Sequence, residues 1–203
     1  STSSSKTTTT TTNNANTQRR IVGTDPGGVG AGTELKAKPG NELAAFAAGC
    51  FWGVEDRFQQ LPGVVNAVSG YQGGKTTKPT YKEVCNGDTN HAEAVRITYD
   101  PTKITYRQLL EKFFKFHDPT TLNRQGPDVG TQYRSAIFAA DDEQFSEARN
   151  FLEEQASNPR FKGRKVVTQV LKVAEAGEFH PAEDYHQDYH EKHGGHCALP
   201  PEE

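Results

Sequence analysis

No run of this 203-residue chain approaches the roughly 20 consecutive apolar residues a membrane-crossing helix needs, so a membrane is not expected among its partners. Excess positive charge is also missing. A net charge of -3 and a pI near 6.2 leave no basic stripe of the kind that binds nucleic acid. Cysteine is scarce: Cys50, Cys85 and Cys197 are odd in number and far apart, which argues against a secreted disulfide framework and for thiol chemistry in a reducing compartment. Methionine is absent, as in a chain whose start has been processed or engineered, and Trp52 is the single tryptophan. The length suits one domain with a proper core and leaves little for a second.

Residues 1–40 stand apart. Ser1 to Asn16 is nearly all Ser, Thr and Asn, and Gly23 to Gly40 is rich in Gly and Pro, compositions that bury too little apolar surface to offset ordering entropy. A disordered arm and linker are expected there, followed by a single folded domain over 41–192. A flexible tail carrying Cys197 is expected over 193–203, released by Gly194-Gly195. The arm is acidic-poor and hydroxyl-rich, as organelle transit peptides are. It lacks amphipathic periodicity and has only Lys6, Arg19 and Arg20 as cations. The cytoplasm is the expected compartment, with mitochondrial import as the alternative.

From Asn41 onward strand and helix patterns alternate. Strands are expected over Leu43–Ala48, Val64–Tyr71, Ala92–Tyr99, Tyr133–Ala139 and Val166–Val173. Helices are expected over Phe51–Leu61, Thr105–Phe116 and Asp141–Ala156, with a short one over Pro181–Lys192. This order favours an α+β fold, a two-layer sandwich of ferredoxin-like kind with a mixed sheet and helices on one face. The connection from Phe116 to Gln132, with Pro119, Gly126, Pro127 and Gly130, is long enough to be a functional loop.

Two residues carry chemical promise. Cys50 falls between a strand and a helix start, where unpaired N–H groups and the helix dipole favour a thiolate nucleophile. Phe51 and Trp52 beside it supply rings able to hold a methyl or thioether. Glu93 alternates onto the face of Val95, Ile97 and Tyr99, so burial is expected to raise its pKa and make it a general acid. Structural readings compete with both: an inert buried cysteine, and a glutamate paired with Arg96, Arg124 or Arg134.

The runs Gly49-Cys50-Phe51-Trp52-Gly53-Val54-Glu55, Gly70-Tyr71-Gln72-Gly73-Gly74, Pro79-Thr80-Tyr81-Lys82-Glu83-Val84-Cys85, His91-Ala92-Glu93, Gly130-Thr131-Gln132-Tyr133-Arg134-Ser135 and Ala182-Glu183-Asp184-Tyr185-His186-Gln187 occur in this order. Over about residues 42 to 190 the chain resembles the class A peptide methionine sulfoxide reductases. The resemblance implies that Cys50 is the catalytic nucleophile, Glu93 the proton donor, and Tyr81 and Tyr133 the hydroxyls that hold the sulfoxide oxygen. It implies that Asp128 is a polar partner in the active-site loop, and that Phe51 and Trp52 wall the substrate's methyl group. It further implies reduction of the S epimer of methionine sulfoxide, free or in proteins, with no bound cofactor or metal. Thioredoxin or another dithiol would be the external reductant, and a monomer is the default state. Cys197, in a glycine-rich tail, is expected to resolve the Cys50 sulfenic acid, and Cys85 to be a small buried hydrophobe.

Two other classes compete with this reading. A cysteine hydrolase would pair Cys50 with His91 as base, but no oxyanion pair or orienting acid is evident. A metal site would use the histidines gathered before Cys197, with His186, His190 and His193 on one helix face, yet H-E-x-x-H is absent.

Overall fold

Chain alternation decides which face of the first strand meets which core. The computed structural model describes residues 40–183 and 186–187. In β1 (Glu42–Ala48), Ala44, Phe46 and Ala48 enter the main hydrophobic cluster, while Ala45 and Ala47 enter a smaller one behind the sheet. The chain then forms α1 (Phe51–Gln59), β2 (Val64–Gln72), α2 (Tyr81–Cys85), β3 (Ala92–Tyr99) and α3 (Tyr106–Phe116). A small hairpin follows, β4 (Arg124–Gln125) and β5 (Asp128–Val129), and then β6 (Ser135–Ala139), α4 (Asp142–Gln155), β7 (Gln169–Lys172), α5 (Val173–Ala176) and β8 (His180–Pro181). None of the helices among the described residues is long and apolar enough to cross a membrane.

Six strands make one mixed sheet in the order β7-β6-β1-β3-β2-β8, antiparallel throughout except for the β6–β7 pair. The fold is α+β, as expected. Helices α1, α3 and α4 bury Phe58, Leu109, Phe113 and Phe151 against one face. Leu171, Val173, Ala176 and Phe179 cover the alanine-rich other face. Local chemistry sets the helix starts: Thr105 and Gln108 form a capping box on α3, and the Asp141 side chain accepts the Gln144 N–H at the start of α4.

Several boundaries differ from expectation. The strand expected from Tyr133 begins at Ser135, because Thr131–Tyr133 forms a 3-10 turn. The strand expected over Val166–Val173 shortens to Gln169–Lys172. Helix α2 was not expected, being five residues long and too short to show a helical period, although Thr80 and Glu83 cap it in a box. The helix expected over Pro181–Lys192 starts instead as a strand, since His180 and Pro181 pair with Tyr71 and Gly70; most of its remainder lies outside the described residues, as do residues 1–39 and Cys197. The long connection is not structureless. Within it the Gln125 amide accepts the Asp118 N–H at 2.9 Å and donates to the Asp118 carbonyl at 2.9 Å, tying the hairpin to its root.

Phe46 is the hub of the core. It is fully buried and stacks on Phe58, Tyr106 and Phe113 with centroid separations of 5.6, 6.1 and 5.0 Å. Removing that ring leaves a cavity between β1, α1 and α3 that three stacked neighbours cannot collapse to fill. Phe46→Ala is expected to destabilise the fold by about 3–5 kcal/mol, read from urea unfolding as a lower midpoint with an unchanged slope.

Candidate active site

The site is built on the first turn of α1. Gly49 turns the chain at φ 92°, and a Cβ there would lie 2.7 Å from the Gln125 side chain, so the approach of the hairpin demands glycine. Cys50 is the N-cap of α1, nearly buried at 9% exposure and without a side-chain cap bond of its own. Its sulfur therefore sits where the N–H groups of a helix start converge, as the sequence predicts.

Glu93 arrives from β3. It is 1% exposed, and its Oε1 accepts the backbone N–H of Phe51 at 3.2 Å. Burial pushes its carboxyl up to about 8; the Phe51 N–H pulls the other way, and the Asp128 carboxylate adds to the rise. Glu93 is therefore mostly protonated at neutral pH, and its Oε2 is buried without a hydrogen-bond partner among the described residues. The competing pairing with Arg96, Arg124 or Arg134 is not what holds it.

Tyr81 and Tyr133 complete the polar side. Burial, followed by the charge of Glu93, raises both phenols, Tyr81 far above the usual range and Tyr133 to about 12. Both stay hydroxyl donors at neutral pH. Tyr81 stands at the start of α2, Tyr133 ends the 3-10 turn, and Asp128 comes from β5. The apolar side is a ring cluster: Phe51 lies 6.3 Å from Trp52 and 6.3 Å from Tyr81, and Trp52 lies 6.3 Å from Tyr81. Thus Cys50, Phe51, Trp52, Tyr81, Glu93, Asp128 and Tyr133 are brought to one place from five separate segments.

The C-terminal segment closes the site from outside. Ala182 N–H donates to Ser69 O at 2.9 Å, and Gln187 straddles the same residue, accepting its N–H at 3.0 Å and donating to its carbonyl at 2.8 Å. Glu55, buried in α1, accepts from the Ser69 N–H and hydroxyl on the same edge. Glu183 Oε1 accepts the Tyr81 N–H at 2.8 Å, and its Oε2 accepts the Tyr71 hydroxyl at 3.1 Å. His186 Nδ1 accepts the Trp52 indole N–H at 2.9 Å. Sequence reasoning gave Glu183 no role, although it stands in a quoted motif; no periodicity links position 183 to position 81.

Cys50 is disulfide-bonded and Cys85 is a free thiol. Cys85 departs from expectation: it is exposed rather than buried, because Val84 takes the inward position of α2 and its neighbour is turned about 100° away. Its sulfur meets the Tyr81 hydroxyl, and partial desolvation on that side outweighs the contact to push the thiol up. The hydrolase alternative loses its base. His91 is buried, with Nδ1 accepting the Gly74 N–H at 3.0 Å and Nε2 donating to Thr76 O at 2.7 Å, so both ring nitrogens serve the loop before α2. No group of three His, Cys, Asp or Glu among the described residues is placed to hold a metal; His190, His193 and His196 lie outside them.

Known proteins share this fold and much of its sequence. The family model described as "Peptide methionine sulfoxide reductase" matches residues 42–200. A relative from Methanosarcina mazei named peptide methionine sulfoxide reductase MsrA is 52% identical over 164 residues, 80% of this chain and 76% of that one. Methionine sulfoxide reductase A of Corynebacterium diphtheriae superposes with a TM-score of 0.77 at 44% identity, covering 82% of each chain. Mxr1 from Saccharomyces cerevisiae in reduced form gives 0.74 at 38% identity, covering 83% of this chain and 94% of its own. Mxr1 has also been solved in complex with Trx2, with a TM-score of 0.56 at 24% identity and 84% and 97% coverage. With its family model matched across the whole described domain, this chain belongs to the peptide methionine sulfoxide reductase family.

Proposed function

We propose that this protein reduces the S epimer of methionine sulfoxide, free or in polypeptides, to methionine, and so repairs oxidised proteins. The observation that carries the reading is the buried, protonated Glu93 held on the Phe51 N–H, one residue from Cys50. A sulfoxide sulfur resists attack until its oxygen gains a proton. In this scheme the Cys50 thiolate attacks that sulfur while Glu93 gives its proton to the oxygen, with Tyr81 and Tyr133 donating hydrogen bonds. Oxygen passes to Cys50 as a sulfenic acid, the thioether leaves, and the two electrons come from the cysteine sulfur. Phe51 and Trp52 receive the methyl group. Placing methyl and oxygen on separate walls leaves one handedness at sulfur, and the family resemblance implies that it is the S epimer.

A second thiol then attacks the sulfenic sulfur, an S–S bond forms and water leaves. Cys197 takes that role. Its support is that Cys50 is disulfide-bonded while Cys85 is a free thiol in a chain of three cysteines. An external dithiol, thioredoxin, reduces the disulfide; the Mxr1–Trx2 assembly is the precedent. An open site for varied polypeptides suits a monomer.

Two sets of measurements test this scheme. Glu93→Gln is expected to lower kcat by about 10²- to 10⁴-fold and to remove a loss of wild-type activity above about pH 8, seen in pH–rate profiles on a sulfoxide peptide. Stability should move the opposite way. Between pH 4.5 and about 8 the folded chain keeps a proton that the unfolded chain releases, so wild-type stability falls as pH rises through that window. Glu93→Gln therefore gains up to about 3 kcal/mol at pH 7 and nothing below pH 4, measured by denaturant titration at both pH values.

The cysteines separate by turnover. Cys50→Ser is expected to be inactive, Cys197→Ser to release one equivalent of methionine and stop with thioredoxin, and Cys85→Ser to cycle normally. A Cys85→Ser enzyme that stalls after one turnover would assign resolution to Cys85 instead.

A further inference from the structure

We propose that Glu183 and His186 act as a positioning pair that fixes the orientation of Trp52, and so sets the enzyme's affinity for substrate apart from its chemistry; the proposal rests on the sulfoxide reduction above, with Trp52 as a wall of the methyl pocket. Trp52 is half-buried, packed against the main core cluster beside Phe51 and Tyr81, contacts that are apolar and leave the direction of its indole N–H to a polar partner. His186 supplies that selection. The imidazole is fully buried, its Nδ1 accepts the Trp52 indole N–H at 2.9 Å, and its ring lies nearly parallel to the indole at a centroid separation of 5.6 Å. The same ring touches Phe51 at 5.2 Å and Tyr81 at 4.3 Å, so it is the common neighbour of every aromatic wall of the site.

Glu183 sets the tautomer. Its Oε2 stands 3.3 Å from His186 Nε2, which places the imidazole proton on Nε2 and leaves Nδ1 as the acceptor that the indole requires. Although burial opposes ionisation, the nearby His186 Nε2, the Tyr81 N–H and the Tyr71 hydroxyl hold the Glu183 carboxyl below the ordinary range. One carboxylate thus governs both halves of the site: through Oε1 the first turn that carries Tyr81, and through His186 the indole of Trp52. Neither residue needs to touch the reacting atoms. Loss of the Nδ1 acceptor loosens the apolar wall but leaves Glu93 on the Phe51 N–H, so binding suffers and proton transfer does not.

Trp52 is the only tryptophan, so its fluorescence reports on this wall alone. His186→Phe keeps a ring and deletes the acceptor; His186→Asn restores an acceptor near the Nδ1 position. For His186→Phe the expected result is a KM raised about 3- to 10-fold, the worth of one neutral hydrogen bond, with kcat changed by less than about twofold. Trp52 anisotropy should fall in His186→Phe and recover, together with KM, in His186→Asn. In a Trp52→Phe background His186→Phe should change KM no further. Unchanged anisotropy, an equal loss in kcat and KM, or failure of His186→Asn to rescue would overturn the positioning role and leave His186 as a packing ring. The anisotropy is read without substrate, so it decides this proposal even if no sulfoxide is reduced, an outcome that would sink the proposed function separately.

Discussion

One hydrogen bond organises the chemistry of this molecule: the Phe51 N–H, first of the orphan donors of α1, is donated to the Glu93 carboxyl. It brings the buried carboxyl of β3 to the same helix start that holds Cys50. Two effects compete at that point. A helix N-terminus favours negative charge by about 0.3 to 2 kcal/mol. Burial lifts Glu93 from 4.5 to about 8, equivalent to roughly 5 kcal/mol against ionisation. Desolvation prevails for the carboxyl, which stays protonated. Cys50 stands at the N-cap itself, a position that favours the thiolate of a reduced cysteine.

The sheet makes this juxtaposition rigid. Strand β1 delivers Cys50 and β3 delivers Glu93, and the two strands pair from Glu42↔Tyr99 to Phe46↔Val95. On the other side of β3, Tyr71 of β2 stands opposite Glu93 in register and sends its hydroxyl to Glu183. A chain of paired strands therefore links Glu93 to the C-terminal segment. Gln187 and Ala182 fasten that segment to Ser69, so its Glu183 can support Tyr81 from behind. Precision at the reactive centre comes from strand ends and helix starts, which move little, with side chains of the last described residues closing the wall.

Function and stability diverge here in a consistent way. Phe46 and its stacked rings supply core packing without touching the chemistry, whereas Glu93 carries a destabilising proton equilibrium that the fold tolerates. Such a cost persists where surrounding structure over-determines a group's position.

Local pattern settled much of this protein. Alternation along Ala92–Tyr99 put Glu93 on the core side, the Gly49-Cys50-Phe51 junction marked a helix start, and the Leu109, Leu110, Phe113 and Phe114 spacing defined α3, because strand and helix periods are properties of neighbouring residues. Motif order identified the family. Tertiary structure alone decided what depends on contacts between distant positions. Position 85 turned outward because Val84 took the core side of a helix too short to announce itself. Glu183 and His186 reached Tyr81 and Trp52 across separations of 102 and 134 residues, which no sequence period encodes. Burial and hydrogen bonding of that kind exist only once the strands have paired, and they turn a cysteine between two patterns into a built site.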